Sequence, residues 1–193
     1  MQLIIKNEFS SHIKTSVATL DSLCNNIEIA TKICIDTLKK NGKIIIIGNG
    51  GSAADAQHIA AELVGRYKTE RKGLAAIALS TDTSAITSIS NDYGYENVFK
   101  RQVEALANKD DTLIAISTGG TSENAINAII AANELGCKTI GFSGKDGGEF
   151  SLICDINLIV ASEDTARIQE MHILIGHTIC HLIDIEFSSL EQN

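Results

Sequence analysis

The chain has 193 residues, 44% of them hydrophobic, enough for one domain with a sizeable core and too few for two of ordinary size. Its 16 Lys and Arg against 24 Asp and Glu leave a formal net charge of −8, which argues against nucleic acid or an anionic membrane surface as the main partner. Five cysteines, Cys24, Cys34, Cys137, Cys154 and Cys180, form no C-x-x-C pair and lie mostly in apolar stretches, as reduced thiols do in a cytosolic protein. Residues 1–14 carry Lys6, Glu8 and Lys14 and no apolar run of secretory length, and no stretch approaches the roughly 20 apolar residues that span a bilayer. The expectation is a soluble, cytoplasmic protein.

From Glu8 to about Lys40 apolar residues recur at helical spacing (Ile13, Val17, Leu20, then Ile27, Ala30, Ile33, Leu38), with a break expected at Cys24-Asn25-Asn26, so residues 1–40 read as a helical hairpin. Five apolar runs follow, at Lys43–Ile47, Ala75–Leu79, Thr112–Ile116, Thr139–Phe142 and Ile156–Val160. Between them helical patterns cover Ala53–Arg66, Asp82–Ser90, Glu96–Ala107 and Ser122–Leu135, and a long helix runs from about Thr165 to Phe187. Such alternation predicts an α/β fold, a five-stranded parallel sheet over residues 43–160 with helices on both faces, in a single domain. Apolar residues of the last helix (Ile168, Met171, Ile173, Leu174, Ile175, Ile179, Leu182, Ile183, Ile185) occupy more than one face. A second cover is therefore required, either another subunit or the amino-terminal hairpin.

Two glycine- and hydroxyl-rich loops stand out, Gly48-Asn49-Gly50-Gly51-Ser52 after the first strand and Ser117-Thr118-Gly119-Gly120-Thr121-Ser122 after the third. Each joins a strand to a helix at the sheet edge where open α/β folds bind ligands, and bare N–H groups, a helix amino terminus and hydroxyls together receive a phosphate. The helix after the first loop places His58, Glu62 and Arg66 at successive i, i+4 steps. That stripe is either a solvated face with a helix ion pair or, being so near a phosphate loop, a pair of groups at the ligand; His58 and Glu62 also make a two-ligand arm for a divalent metal. The terminal helix adds Gln169, Glu170, His172, His177 and His181. Gln169 and His177 are about 80° and about 12 Å apart on it, so two short contacts to one atom are hard to arrange from one helix. Each histidine is either a partly buried, hydrogen-bonded ring or a reacting group, and spacing does not choose among them. Ser90-Asn91-Asp92-Tyr93-Gly94 reads as a turn, although Asn91 and Asp92 also suit sugar hydroxyls. Ser80-Thr81-Asp82 and Ser143-Gly144-Lys145-Asp146-Gly147-Gly148 end strands at the same edge.

Taken in order, Gly48-Asn49-Gly50-Gly51-Ser52, His58…Glu62…Arg66-Tyr67, Asn91-Asp92-Tyr93-Gly94, Ile116-Ser117-Thr118-Gly119-Gly120-Thr121-Ser122, Gly144-Lys145-Asp146-Gly147-Gly148 and Arg167-Ile168-Gln169-Glu170…His172…His177 resemble the sugar isomerase (SIS) domain of the phosphoheptose isomerases, over essentially the whole chain. The resemblance implies a cytoplasmic homotetramer with sites between subunits, and conversion of sedoheptulose 7-phosphate to glycero-manno-heptose 7-phosphate for surface heptose synthesis. By position it makes Ser52, Ser117, Thr118, Gly119 and Ser122 the phosphate binders. Asn49, Gly50, Gly51, Asn91 and Asp92 line the sugar, with Arg66 and Gln169 also on the substrate, and Glu62 and His177 form the acid/base pair. It further implies one zinc ion per subunit on His58, Glu62, Gln169 and His177, which sets metal and base roles in competition at Glu62. The chain departs from the pattern at Gly119 and Thr121, where Ser and Asn are frequent, and at Ala166, where relatives can carry Asp. Two other readings share the loops: a non-catalytic SIS protein that senses a sugar phosphate or only assembles, like the relatives that bind the bacterial replication initiator, and an isomerase for a different phosphosugar. The joint presence of His58, Glu62, Gln169 and His177 favours catalysis over a scaffold.

Overall fold

The computed structural model describes residues 1–190. In chain order the elements are α1 (Gln2–Lys39), β1 (Ile44–Gly48), α2 (Gly51–Val64), β2 (Ala76–Ala78), α3 (Thr83–Tyr93), a single 3-10 turn (Tyr95–Asn97), α4 (Val98–Leu106), β3 (Thr112–Ile116), α5 (Glu123–Glu134), β4 (Lys138–Gly144), α6 (Phe150–Ile153), β5 (Ile156–Val160) and α7 (Thr165–Leu190). All neighbouring strands pair in parallel in the order β2-β1-β3-β4-β5. The order reverses between β1 and β3, and these are the two strands that run into the glycine-rich loops. Both loops therefore flank the crevice at the reversal point, where doubly wound sheets bind their ligands.

The strands are apolar on both sides because both sides are covered. Along Ile44-Ile45-Ile46-Ile47, each at most 1% exposed, alternate side chains enter two separate cores. Ile44 and Ile46 join Ile114, Ile116, Ile140 and Phe142 beneath α1, α2 and α7, whereas Ile45 and Ile47 join Leu113 and Ala115 beneath α4, α5 and α6. Removing each such isoleucine from water contributes roughly 1.5–3 kcal/mol. Alanines at 125, 128 and 132 let α5 lie close on the sheet, while larger residues of α7, Ile168, Met171, Ile175, Ile179 and Ile183, fill the opposite core.

The hairpin expected over residues 1–40 is one continuous helix, and no break occurs at Cys24-Asn25-Asn26. Two asparagines cost only a fraction of a kcal/mol each in a helix interior, and the chain has no proline and no glycine before Gly42 to interrupt it. Thr15, Thr19, Leu23, Ala30, Cys34 and Leu38 make one buried face along this helix. Its first two turns carry no buried residue, and Leu3, Ile4, Ile5, Phe9, Ile13, Val17 and Leu20 are all more than half exposed. Leu174, Leu182 and Ile185 of α7 stay exposed as well, so α1 covers only part of the second apolar face of the terminal helix. Between α1 and α7 lies an apolar groove of about 620 Å³, lined among others by Leu20, Ile27, Met171, Leu174 and Leu182.

Other boundaries move by amounts that matter for the site. The helix after the first loop ends at Val64, not Arg66. Asn91-Asp92-Tyr93, read as a turn, forms the last turn of α3; the chain breaks only at Gly94, whose φ of 85° a side chain disfavours. The helix expected over Glu96–Ala107 opens with the 3-10 turn and becomes α-helical at Val98. Cys34, Cys137 and Cys180 are buried as expected, and burial pushes the Cys34 and Cys180 thiols up to about 12; Cys24 is exposed. Among the described residues no helix is long and apolar enough to cross a membrane.

Candidate active site

The first loop turns tightly: Ser52 N–H donates to the Asn49 carbonyl and Ala53 N–H to that of Gly50, which sits at φ 56°. A side chain on Gly51 would lie 2.9 Å from Nε2 of Gln169, so the bare backbone there lets the α7 amide close over the loop. The Asn49 side chain is engaged within the protein. Its amide exchanges two hydrogen bonds of 2.9 Å with Asn124, in the first turn of α5, and its Oδ1 accepts another from Tyr95 Oη at 2.8 Å. This amide pair fastens the β1 loop to the helix that follows the second loop.

In the second loop Ser117 Oγ and Ser122 Oγ lie 2.9 Å apart, both hydroxyls drawn to one point at the start of α5. Ser117 is buried, and Thr118 and Gly119 are half-buried. The loop is braced from behind by the segment after β4. A Cβ on Gly120 (φ 64°) would come within 2.1 Å of the Gly147 carbonyl, and one on Gly148 within 2.4 Å of the Gly119 carbonyl. Glycine is required on both sides of that contact.

The candidate reacting groups come from α2 and α7. His58 Nε2 lies 3.2 Å from Glu62 Oε1 and 3.3 Å from His177 Nε2, and one ligand atom from each of the three falls within 4.8 Å of the others. His177 thus crosses from α7 to meet an i, i+4 pair on α2, which separates it from the other histidines of its helix. His172 is fully buried with Nε2 3.0 Å from the Ser143 carbonyl, and His181 packs near Tyr67. Burial and the neighbouring His58 lower the His177 pKa, with Lys68 adding to them and Glu62 opposing. One turn earlier, burial raises the Asp55 carboxyl, partly countered by His58.

Three expected site residues stand apart from this cluster. Arg66, just beyond the end of α2, pairs with Glu70 at 3.3 Å and is exposed. Asn91 and Asp92 are exposed on α3 and bond to each other. Sequence reasoning singled out neither Asn124 nor the role of Tyr67, whose ring stacks on His177. The only signal for Tyr67 was its place after Arg66.

Fold and site together define a parallel α/β domain with two glycine-rich loops and a His/Glu/His cluster at its crevice, and residues 8–144 match the SIS domain family. Similarity extends over nearly the full length of particular relatives. A phosphoheptose isomerase of Aliarcobacter butzleri is 60% identical over 188 residues, covering 97% of this chain and all of that one. The solved structures of phosphoheptose isomerases from Neisseria gonorrhoeae (43% identity, TM-score 0.90) and Francisella tularensis (39%, 0.92) each match 95% of this chain and 98% of theirs. The chain belongs to the phosphoheptose isomerase family of SIS-domain proteins.

Proposed function

We propose that this chain converts sedoheptulose 7-phosphate to D-glycero-D-manno-heptose 7-phosphate in the cytoplasm, supplying heptose for surface polysaccharide. The observation that carries the reading is the meeting of Glu62 and His177, brought from two helices to one point beside His58, at the edge of a sheet that also carries two anion cradles. The reaction moves a proton from C1 of the ketose to C2 through an enediol, and the hydroxyl proton from O1 to O2, with no net gain or loss of atoms. Glu62 and His177 are the groups that take and return these protons. Ser52 and the Ser117–Ser122 loop hold the phosphate at the far end, with the backbone of Gly50 and Gly51 and the side chain of Gln169 along the sugar.

The same residues suit a zinc ion. Two imidazole nitrogens and a carboxylate oxygen spaced 3.2–3.3 Å along the cluster form the N,N,O donor set of catalytic zinc sites, which keep a further position open. His58, Glu62 and His177 would hold it, and the family resemblance adds Gln169, whose amide lies over Gly51. A bound zinc supplies Lewis-acid polarisation of the substrate carbonyl. The reading extends to a homotetramer with sites between subunits, supported by the apolar residues that α1 and α7 leave exposed.

Turnover of sedoheptulose 7-phosphate, assayed with and without a chelator, tests substrate and metal together. Product is expected, with at least about a tenfold loss on chelation that added zinc restores. Glu62→Gln and His177→Ala are each expected to lower kcat at least about a hundredfold. Absence of product in both arms, or near-normal turnover by either variant, overturns the reading.

A further inference from the structure

The segment from Gly65 to Ala75 forms neither helix nor strand, yet a buried ion pair fastens it to the core. Asp184 of α7 accepts hydrogen bonds from the backbone N–H groups of Lys68 at 2.7 Å and Thr69 at 2.9 Å, and from Arg71 Nε at 2.7 Å. The remaining nitrogens of Arg71 donate to the carbonyls of Leu63, Gly65 and Lys72 and to that of Glu62 itself. Both side chains are wholly buried. A buried ion pair adds little net stability over well-packed apolar residues. Its contribution here is direction, because a rigid five-donor fork and a fully engaged carboxylate allow one placement of the segment against α2 and α7.

The side chain placed in this way is Tyr67. Its ring lies against the His177 imidazole with centroids 5.2 Å apart and planes inclined by 23°. His58 meets the same imidazole edge-on, at 4.8 Å and 82°. The ring torsion of a histidine is broad and roughly two-fold. A flat wall on one face and an edge contact beside it restrict that torsion.

We propose that Tyr67 is a positioning residue for the isomerisation: its ring, delivered by the Arg71–Asp184 pair, holds the His177 imidazole with Nε2 turned toward His58 and Glu62. The proposal rests on the role given to His177 above. The flat face of the ring carries the effect and the hydroxyl does not, so phenylalanine is an adequate substitute and an aliphatic side chain of similar bulk is not.

The test compares Tyr67→Leu, Tyr67→Met, Tyr67→Phe and His177→Ala, each checked for native circular dichroism. Readouts are kcat and KM for sedoheptulose 7-phosphate, and zinc affinity in competition with a chromogenic chelator. Loss of a group that orients a metal-binding histidine costs about 10–100-fold. Leu and Met are expected to lower kcat by that factor and weaken zinc binding about tenfold, with KM within about twofold of wild type. Phe is expected to keep kcat and zinc affinity within about threefold of wild type, since the stack survives. Wild-type kcat and zinc affinity in whichever of the Leu and Met variants folds overturns the proposal. So does a raised KM at unchanged kcat, which sets Tyr67 against the substrate, or a Phe variant as impaired as Leu, which assigns the effect to the hydroxyl. An active His177→Ala enzyme sinks the role of His177 itself. An inactive one beside a fully active Tyr67→Leu enzyme sinks only the positioning role.

Discussion

His172 shows how environment separates residues that look alike in the sequence. The Ser143 carbonyl can only accept, so Nε2 carries the proton of a neutral ring, and Nδ1 is buried with no hydrogen-bond partner. Burial lowers the pKa to about 4, against the Ser143 hydrogen bond, from an ordinary 6.5. The unfolded chain then binds more protons than the folded one between those two values. The stability contributed by the neutral ring is complete above pH 6.5 and is lost as pH falls toward 4. Between pH 7 and pH 4.5 this amounts to about 2–3 kcal/mol. His172→Gln, which keeps a donor for Ser143, is expected to shrink the acid loss by that amount in urea unfolding at fixed chain concentration. An unchanged pH dependence would refute the assignment. Asp184 adds a loss in the same direction at lower pH: burial raises its carboxyl, but the Thr69 and Lys68 N–H groups and Arg71 outweigh burial and hold it below the carboxylate range.

At the scale of elements, the parts that the sequence disclosed are those written in local periodicity. Five strands and the principal helices follow from runs and spacings a few residues long, and the two cradles from glycines next to hydroxyls. The errors arose where a local signal lacked the means to act. Asn25-Asn26 weakens a helix without ending it, and Asn91-Asp92 looks like a turn until Gly94 supplies the only residue that leaves the helix cheaply. Links between elements were not legible at all. The Asn49–Asn124 pair spans 75 positions, and nothing in either neighbourhood announces it. Because each amide is the other's partner, Asn49→Ala and Asn124→Ala are each expected to cost about 1–3 kcal/mol. The double variant should fall short of their sum by about 0.5–3 kcal/mol. Strict additivity in unfolding experiments would show that the two loops are not tied through these side chains.

For the whole molecule, the exposed side of α1 is the feature without an internal explanation. A 38-residue helix is about 57 Å long, and its first turns extend beyond the core they could pack on. Exposed apolar residues on α1 and the uncovered Leu174, Leu182 and Ile185 of α7 underlie the proposed homotetramer. Light scattering is expected to give a mass of four chains. Val17→Asp combined with Leu20→Asp is expected to yield a smaller species with reduced turnover, because the proposed sites between subunits would lose their neighbours. A monomeric wild-type enzyme with full activity would remove the assembly from the account.

By itself the sequence determined the layered α/β architecture, the two glycine-rich loops and the His58–Glu62 pair, since each depends on residues within one or two turns of one another. It also narrowed the remaining chemistry to a few side chains of the last helix. Only the tertiary structure decided that His177, and not His172 or His181, meets that pair. Only it showed that the Asn49 amide pairs with that of Asn124, and that Tyr67 lies on the His177 imidazole. Those outcomes depend on how two helices cross and on where a buried ion pair holds a segment with no periodicity. Contacts between residues as far apart as Tyr67 and His177 leave no trace in local spacing.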